Sequence, residues 1–570
     1  MTTYRKKLIE VALPLEAINK EAAREKSIRH GHPSTLHLWW ARRPLAACRA
    51  VLFASLVDDP SSHPEQFPTE EAQDKERQRL FRIIEELVKW ENSNNETVLN
   101  AARHEILKST VGHLPAPRPG LYFVYAIQCE DGSHYIGQTD DLRRRWEEHV
   151  DGRGSEWTSR NRPLRIAHYE EVGSREEAVK REHDLKTGFG RKWLKELIES
   201  GRARQAGPPP VLDPFCGGGS IPLEAQRLGL EAHASDLNPV AVLITKALIE
   251  IPPKFAGKPP VNPEARKKLD HSKTWRGAEG LAEDVRYYGK WMRDEAEKRI
   301  GHLYPKVKLP KEQGGREAKP IAWIWARAVK CPNPACGAQM PLVRSFWLCG
   351  NKAWAEPTHD SRSKTLRFRV NSDSRNRAEG TVSRRGAKCF ACKTVTPLDY
   401  VREEARAGRM EQKLMAVVAE NNHNRCYLSP TDDHEVIAKS ARPTGVPETS
   451  LPDQALGFRV QLYGMLKHRD LFSPRQLVAV TTFSDLILNA RKQAYADAVS
   501  AAASPSGAHV SDADSAASAY ADAVSTYLAC ALSRLASYNN AICFWNLKGG
   551  ECHPNLFSPG HLNVLGFYRG

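Results

Sequence analysis

A run of three glycines between two short apolar stretches constrains this chain more than any other feature. In PPPVLDPFCGGGSIPLEAQRLGLEAHASDLNPV (208–240), Val211 and Leu212 read as a strand and Gly217, Gly218 and Gly219 as a turn. A short amphipathic helix follows, Gly229 stops it, and a second strand ends on Asp236. Glycine lets the backbone come close to a ligand, and the new helix points its N-terminal amides at that ligand. An acidic residue about 20 positions further on is placed to hold ribose hydroxyls. Asp236 lies 23 residues after Asp213, so the spacing suits a nucleoside cofactor.

The context is specific. Asp213-Pro214-Phe215 precedes the turn, and Asp236-Leu237-Asn238-Pro239 closes the second strand. In that form the stretch resembles the S-adenosylmethionine site of amino-group DNA methyltransferases, whose cofactor motif is DPF-x-G-x-G. The resemblance implies a Rossmann-like core that binds S-adenosylmethionine through Asp213, Phe215, Gly217, Gly219 and Asp236. Asp213 would face the methionine end and Asp236 the ribose.

At 570 residues the chain is long enough for several domains. Its 83 Lys and Arg against 68 Asp and Glu give a formal charge of +15, which favours polyanionic partners, nucleic acid first. No run of 18 apolar residues occurs and the first residues are charged throughout, so neither a membrane span nor a secretory signal is expected. A cytoplasmic setting follows, where the 12 cysteines stay reduced and free to bind metal.

Residues 1–117 read as helical. Within them, 31–56 (GHPSTLHLWWARRPLAACRAVLFASL) predicts one helix capped by Ser34 or Thr35 and carrying Trp39, Trp40, Leu45 and Val51, with Arg42, Arg43 and Arg49 along it. This segment resembles the N-terminal region of a family of zinc-ribbon-containing adenine-specific DNA methyltransferases. Proline-rich linkers at 113–120 and 201–210 bracket a different block, which makes 118–204 a domain of its own. It opens with a predicted hairpin, 121–128 and 134–138, joined at Asp131-Gly132. A helix capped by Thr139 or Asp140, a strand near 164–170, and a helix from Ser174 with Glu177 as its capping box complete it.

This block resembles the GIY-YIG nuclease fold. Phe123-Val124-Tyr125 stands in place of GIY, and Tyr135-Ile136-Gly137 is YIG as written. Arg145 and His149, four apart, share one helix face. The resemblance implies phosphodiester cleavage with magnesium or manganese. Tyr125 or Tyr135 with His149 would form the base network, Arg145 would meet the phosphate, and Glu182 would hold the metal. Many relatives carry an asparagine after the glutamate, and none lies at a matching place here. The block precedes the cofactor strand, as an insertion into a surface loop would.

Cys331 and Cys336, then Cys389 and Cys392, are two close pairs, the sequence form of a structural zinc ribbon over 331–430. The basic stretch 361–388 between them reads either as a β-ribbon against phosphate or as a solvated hairpin. Residues 205–330 hold the cofactor motif and helices, and 431–570 read as helix. AYADAVS occurs at 494–500 and again at 519–525, around a Ser/Ala-rich insert. The Asp/Asn/Ser-Pro-Pro-Tyr/Phe motif that would hold a target base is missing from every Pro-Pro pair. The expected fold class is therefore α/β: an incomplete Rossmann-like core, an inserted GIY-YIG domain, a zinc ribbon and helical flanks. The expected function is that of the N-terminal part of an adenine-specific DNA methyltransferase with an inserted endonuclease. Alternatives are a scaffold whose only activity is the nuclease, or a zinc-stabilised subunit. DNA is the expected partner, with a defence-system helicase or a second polypeptide carrying the missing motif as protein partners.

Overall fold

Apolar positions on the N-terminal helices and on the glycine-turn segment are buried in one shared core. In the computed structural model the described residues are 4–28, 30–39, 41–267, 274–350, 352–360, 362–373, 378–421, 424–453, 459–502, 510–547, 550–553 and 568–569. The chain divides into two compact units. The first comprises residues 1–35 and 41–250, and the second 36–40 and 251–570.

In the first unit, a single helical turn at Leu8–Val11 is followed by helices α1 (Leu15–Arg24), α2 (Leu45–Leu56), α3 (Glu70–Leu87) and α4 (Glu96–Ser109). Phe53, Ile84, Leu99 and Ile106 pack in one core with Ala225, Leu228 and Leu230, which lie more than a hundred residues further on. The helix expected across 31–56 is shorter than predicted. A 3₁₀ turn covers Pro33–Thr35 and α2 begins only at Leu45, so neither Ser34 nor Thr35 caps it. Pro44 sets this start, because a proline biases the residue before it away from helical dihedrals. Trp39 stands outside the helix, and Trp40 lies outside the described residues.

The block at 121–195 builds two cores, one of them shared with Leu107 and Leu114 just ahead of it. Strands β1 (Tyr122–Cys129), β2 (His134–Thr139) and β3 (Pro163–Val172) form an antiparallel sheet in the order β2-β1-β3. One face buries Phe123, Tyr125 and Ile127 against Leu142 and Trp146 of helix α5 (Leu142–Val150). The other buries Val124, Ala126 and Ile136 against helices α7 (Arg175–Lys186) and α8 (Gly188–Glu199). A short α6 (Glu156–Arg160) precedes β3. Asp141 caps α5, accepting from the Arg143 and Arg144 amides, in place of the expected Thr139 or Asp140. Only half of the expected capping box forms on α7. Ser174 accepts from the Glu177 amide, but the Glu177 carboxylate accepts from Gly173.

After the block, β4 (Val211–Asp213), α9 (Ser220–Arg227), β5 (Ala232–Ala234) and α10 (Pro239–Ile249) follow. β4 and β5 are parallel, Val211 opposite Ala232 and Asp213 opposite Ala234. Among the described residues no further strand joins them.

The second unit is organised by a sheet the sequence reading missed. Strand Pro320–Lys330 pairs with Glu411–Asn421, which pairs with Asn424–Leu428. The run PIAWIWARAVK is almost wholly buried, with no alternation to mark it as a strand. The basic stretch 361–388 is not one ribbon. Leu366–Asn371 joins Ala353–His359, whereas Val382–Ser383 and Gly386–Lys388 belong to a separate small sheet; residues 361 and 374–377 lie outside the described residues. Residues 431–570 are not helical throughout. Long helices Pro474–Ala502 and Val510–Tyr538 pack together and carry the two AYADAVS copies, but Phe544–Asn546 and Glu551–His553 form a hairpin. The insert 503–509 and the tail 554–567 lie outside the described residues. No described helix is long and apolar enough to cross a membrane.

Candidate active site

The antiparallel register of β1 and β2 sets Tyr125 directly opposite Gly137, and Tyr135 two residues along on the same face. The tyrosine ring centroids are 6.4 Å apart. Gly137 has to be glycine for this seating, since a Cβ there would stand 2.6 Å from the Tyr125 hydroxyl oxygen. α5 then brings its one-face pair onto the tyrosines. The Tyr125 hydroxyl is 2.9 Å from His149 Nε2, and the Tyr135 and His149 rings are 4.9 Å apart. Arg145 Nε donates to the Tyr125 oxygen at 3.1 Å, Nη1 to Glu148 at 2.7 Å and Nη2 to the Gly154 carbonyl at 2.7 Å.

Burial governs the electrostatics. It raises the Tyr125 hydroxyl well above the usual tyrosine range, although Arg145 beside it pulls the other way, and the charge of Glu182 adds to the rise. It pushes His149 down to about 4, helped by the Arg145 charge, so the ring is neutral near pH 7. Burial alone would lower Arg145; the Glu148 carboxylate and the Tyr125 hydroxyl instead hold it above its ordinary value.

Glu182 lies on α7, which packs against β1 and β2 from the other face of the sheet. Its side chain is about one-fifth exposed and takes a hydrogen bond from Lys186 Nζ at 2.6 Å. One partly exposed carboxylate suits a magnesium-type ion, which keeps several waters and shares its remaining oxygens with a substrate phosphate. A cleft of about 820 Å³ opens beside Tyr135, lined by Trp157 and by the cations Arg165, Lys186, Arg191 and Lys195. All five residues expected from the sequence thus belong to one small fold. Glu148, Gly154, Thr158 and Lys186 were missed. Glu148 and Lys186 carry a usable signal, because each sits one helical turn from a site residue of opposite charge.

At the glycine turn, Gly217 and Gly219 both adopt positive φ, 49° and 74°. The Gly217 amide donates to Asp236 Oδ2 at 2.9 Å, and the Asn238 amide to Oδ1 at 2.8 Å. Asp213 is buried, which raises its carboxyl above the usual range, and it accepts from the Phe215 amide at 3.2 Å. Phe215 itself is exposed. The turn therefore gathers Asp213, Gly217, Gly219 and Asp236.

In the second unit, Cys331, Cys336, Cys389 and Cys392 offer sulfurs that all lie within 4.8 Å of one another. Cys331–Cys392 is 3.7 Å and Cys336–Cys389 is 3.9 Å. Four thiolates at about 2.3 Å from a tetrahedral zinc stand roughly 3.8 Å apart, so the spacing fits a metal. A hydrogen bond with Thr394 draws Cys392 down to about 6, toward the thiolate a metal needs.

Comparison with known proteins bears on two parts of the chain. The GIY-YIG catalytic domain family matches residues 121–195, and a family described as a protein of unknown function, DUF1156, matches residues 12–83. A UPF0213 protein of Staphylococcus saprophyticus is 35% identical over 78 residues, 14% of this chain and 95% of that protein. UPF0213 proteins of Staphylococcus aureus, strains Mu3 and N315, are 37% identical over the same length and shares. No solved structure gives a significant match.

Proposed function

Through its GIY-YIG catalytic domain at residues 121–195 the chain belongs to the same family as the UPF0213 proteins, and from that premise we propose that it is a metal-dependent DNA endonuclease. The observation that carries this reading is the unbroken contact from Arg145 through Tyr125 to His149, with Tyr135 beside it. Tyr125 and His149 take the proton of the attacking water. Arg145 neutralises charge that builds on the phosphate. Glu182 holds magnesium or manganese, which when bound supplies further neutralisation of the phosphoryl oxygens. The cationic cleft lining and the net charge of +15 favour a nucleic-acid backbone. Plasmid nicking in magnesium that vanishes with Glu182→Ala and with Arg145→Ala supports this reading; nicking unchanged in both variants refutes it.

A second activity is supported by the Gly217–Asp236 hydrogen bond, which draws Asp236 onto the glycine turn. Residues 208–240 bind S-adenosylmethionine in this reading, as the cofactor site of an adenine-specific DNA methyltransferase into which the nuclease block is inserted. The core that joins residues before and after the block favours that arrangement. Methylation would draw its base-holding motif from a second polypeptide, and the four cysteines would hold a structural zinc. Titration calorimetry with S-adenosylmethionine tests the cofactor reading, and no heat up to millimolar cofactor refutes it.

A further inference from the structure

The ring of His149 has a second neighbour that neither the resemblance nor the motif points to. Its Nδ1 lies 2.7 Å from the hydroxyl of Thr158, on α6. Both side chains are closed off from solvent, His149 at 0% exposure and Thr158 at 2%. Thr158 Oγ1 in turn lies 2.9 Å from Ser155 Oγ and 3.3 Å from the Ser155 carbonyl.

Hydrogen counting orders this network. Tyr125 is 1% exposed, and its oxygen already accepts from Arg145 Nε. If His149 carried its proton on Nε2, that nitrogen would also donate to the same oxygen. The phenol hydrogen would then have no acceptor among the described residues, and an unpaired buried hydroxyl costs about 1–3 kcal/mol. With the proton on Nδ1 every hydrogen is used. Arg145 donates to Tyr125, Tyr125 to Nε2, Nδ1 to Thr158, and Thr158 to Ser155.

We propose that Thr158 is a positioning residue that holds His149 as the Nδ1–H tautomer and so reserves Nε2 for the Tyr125 proton. The inference rests on the nuclease reading. When the attacking water gives its proton to the Tyr125 oxygen, the original O–H bond of Tyr125 breaks as an Nε2–H bond forms. His149 leaves the step as imidazolium with its Nδ1–H still on Thr158, and Tyr125 stays a phenol. Nothing else is consumed.

The test is ¹⁵N long-range NMR of the imidazoles in the full chain, with His149 assigned by its loss in His149→Gln. The wild type is expected to show the Nδ1–H tautomer. Thr158→Val should bring in the Nε2–H form and lower kcat for plasmid nicking about ten- to a hundredfold at unchanged KM. Thr158→Ser should restore both. An Nε2–H tautomer in the wild type overturns the proposal, as does a Thr158→Val protein that keeps the Nδ1–H form, whatever its rate. A wild type that never nicks sinks the nuclease reading, while the tautomer spectrum still decides the role of Thr158.

Discussion

Arg49 Nε and Glu224 Oε2 lie 2.5 Å apart, and neither side chain is more than 1% exposed. Arg49 belongs to the helix α2 ahead of the nuclease block and Glu224 to the helix α9 behind it. Burial drives both toward their neutral forms, and each charge offsets the desolvation of the other. Removing Glu224 leaves the Arg49 charge buried without a carboxylate, which costs about 3–5 kcal/mol, whereas without Arg49 the Glu224 carboxylate keeps the Arg227 guanidinium beside it. Glu224→Ala is expected to lower the stability of the first unit by that order in urea denaturation, and Arg49→Ala by less. Arg49→Met with Glu224→Leu should cost much less. Equal losses in the single and double variants would mean that the pair does not couple the two segments.

The Tyr125 pocket makes Gly137 irreplaceable. In Gly137→Ala the new methyl would overlap the Tyr125 hydroxyl, and overpacking of this kind costs roughly 1–3 kcal/mol. The variant is expected to fold with a reduced melting temperature and to lose most nicking activity, because the phenol leaves His149. Full activity in Gly137→Ala would show that this seating is irrelevant to the chemistry.

The path from sequence to site was open where residue types have no substitute. Hairpin register relates Tyr125 to Tyr135 and one helical turn relates Arg145 to His149 before any packing is known, whereas Glu182 was reached only through the family resemblance. Thr158 was not readable, since its role depends on α6 folding back beneath the imidazole, a contact between separate elements. The start of α2 was misread because the apolar spacing around Trp39 outweighed Pro44. The strand Pro320–Lys330 was hidden for a different reason. Burial on both faces erases the alternation that betrays a strand, and its partner Glu411–Asn421 lies about 90 residues away.

His149 predicts a pH dependence. Its ordinary value of 6.5 falls to about 4 in the fold, with Arg145, Glu148, Tyr125 and Tyr135 facing it. Between these values the unfolded chain binds a proton that the folded chain refuses, so stability falls as pH drops from about 6.5 to about 4. The full effect is on the order of 3 kcal/mol. Nicking should keep its base form across this range and be lost only near pH 4. In His149→Gln the acid slope of stability should flatten. An activity limb centred near 6.5 would contradict the buried, neutral ring.

The cysteine tetrad predicts one zinc per chain by elemental mass spectrometry of purified protein. Cys389→Ser should lose it and unfold the second unit at lower denaturant, because the ligands are assembled only in the folded state. Metal-free protein of unchanged stability would argue that the four thiols are structural without an ion.

The initial rate of supercoiled-plasmid nicking by the full chain in magnesium tests the central claim most directly, compared side by side with Glu182→Gln and with chelator. Nicking by the wild type that falls at least a hundredfold in Glu182→Gln and stops with chelator is the expected result. Nicking that survives both treatments, or a folded wild type that never cuts DNA in magnesium or manganese, would contradict it.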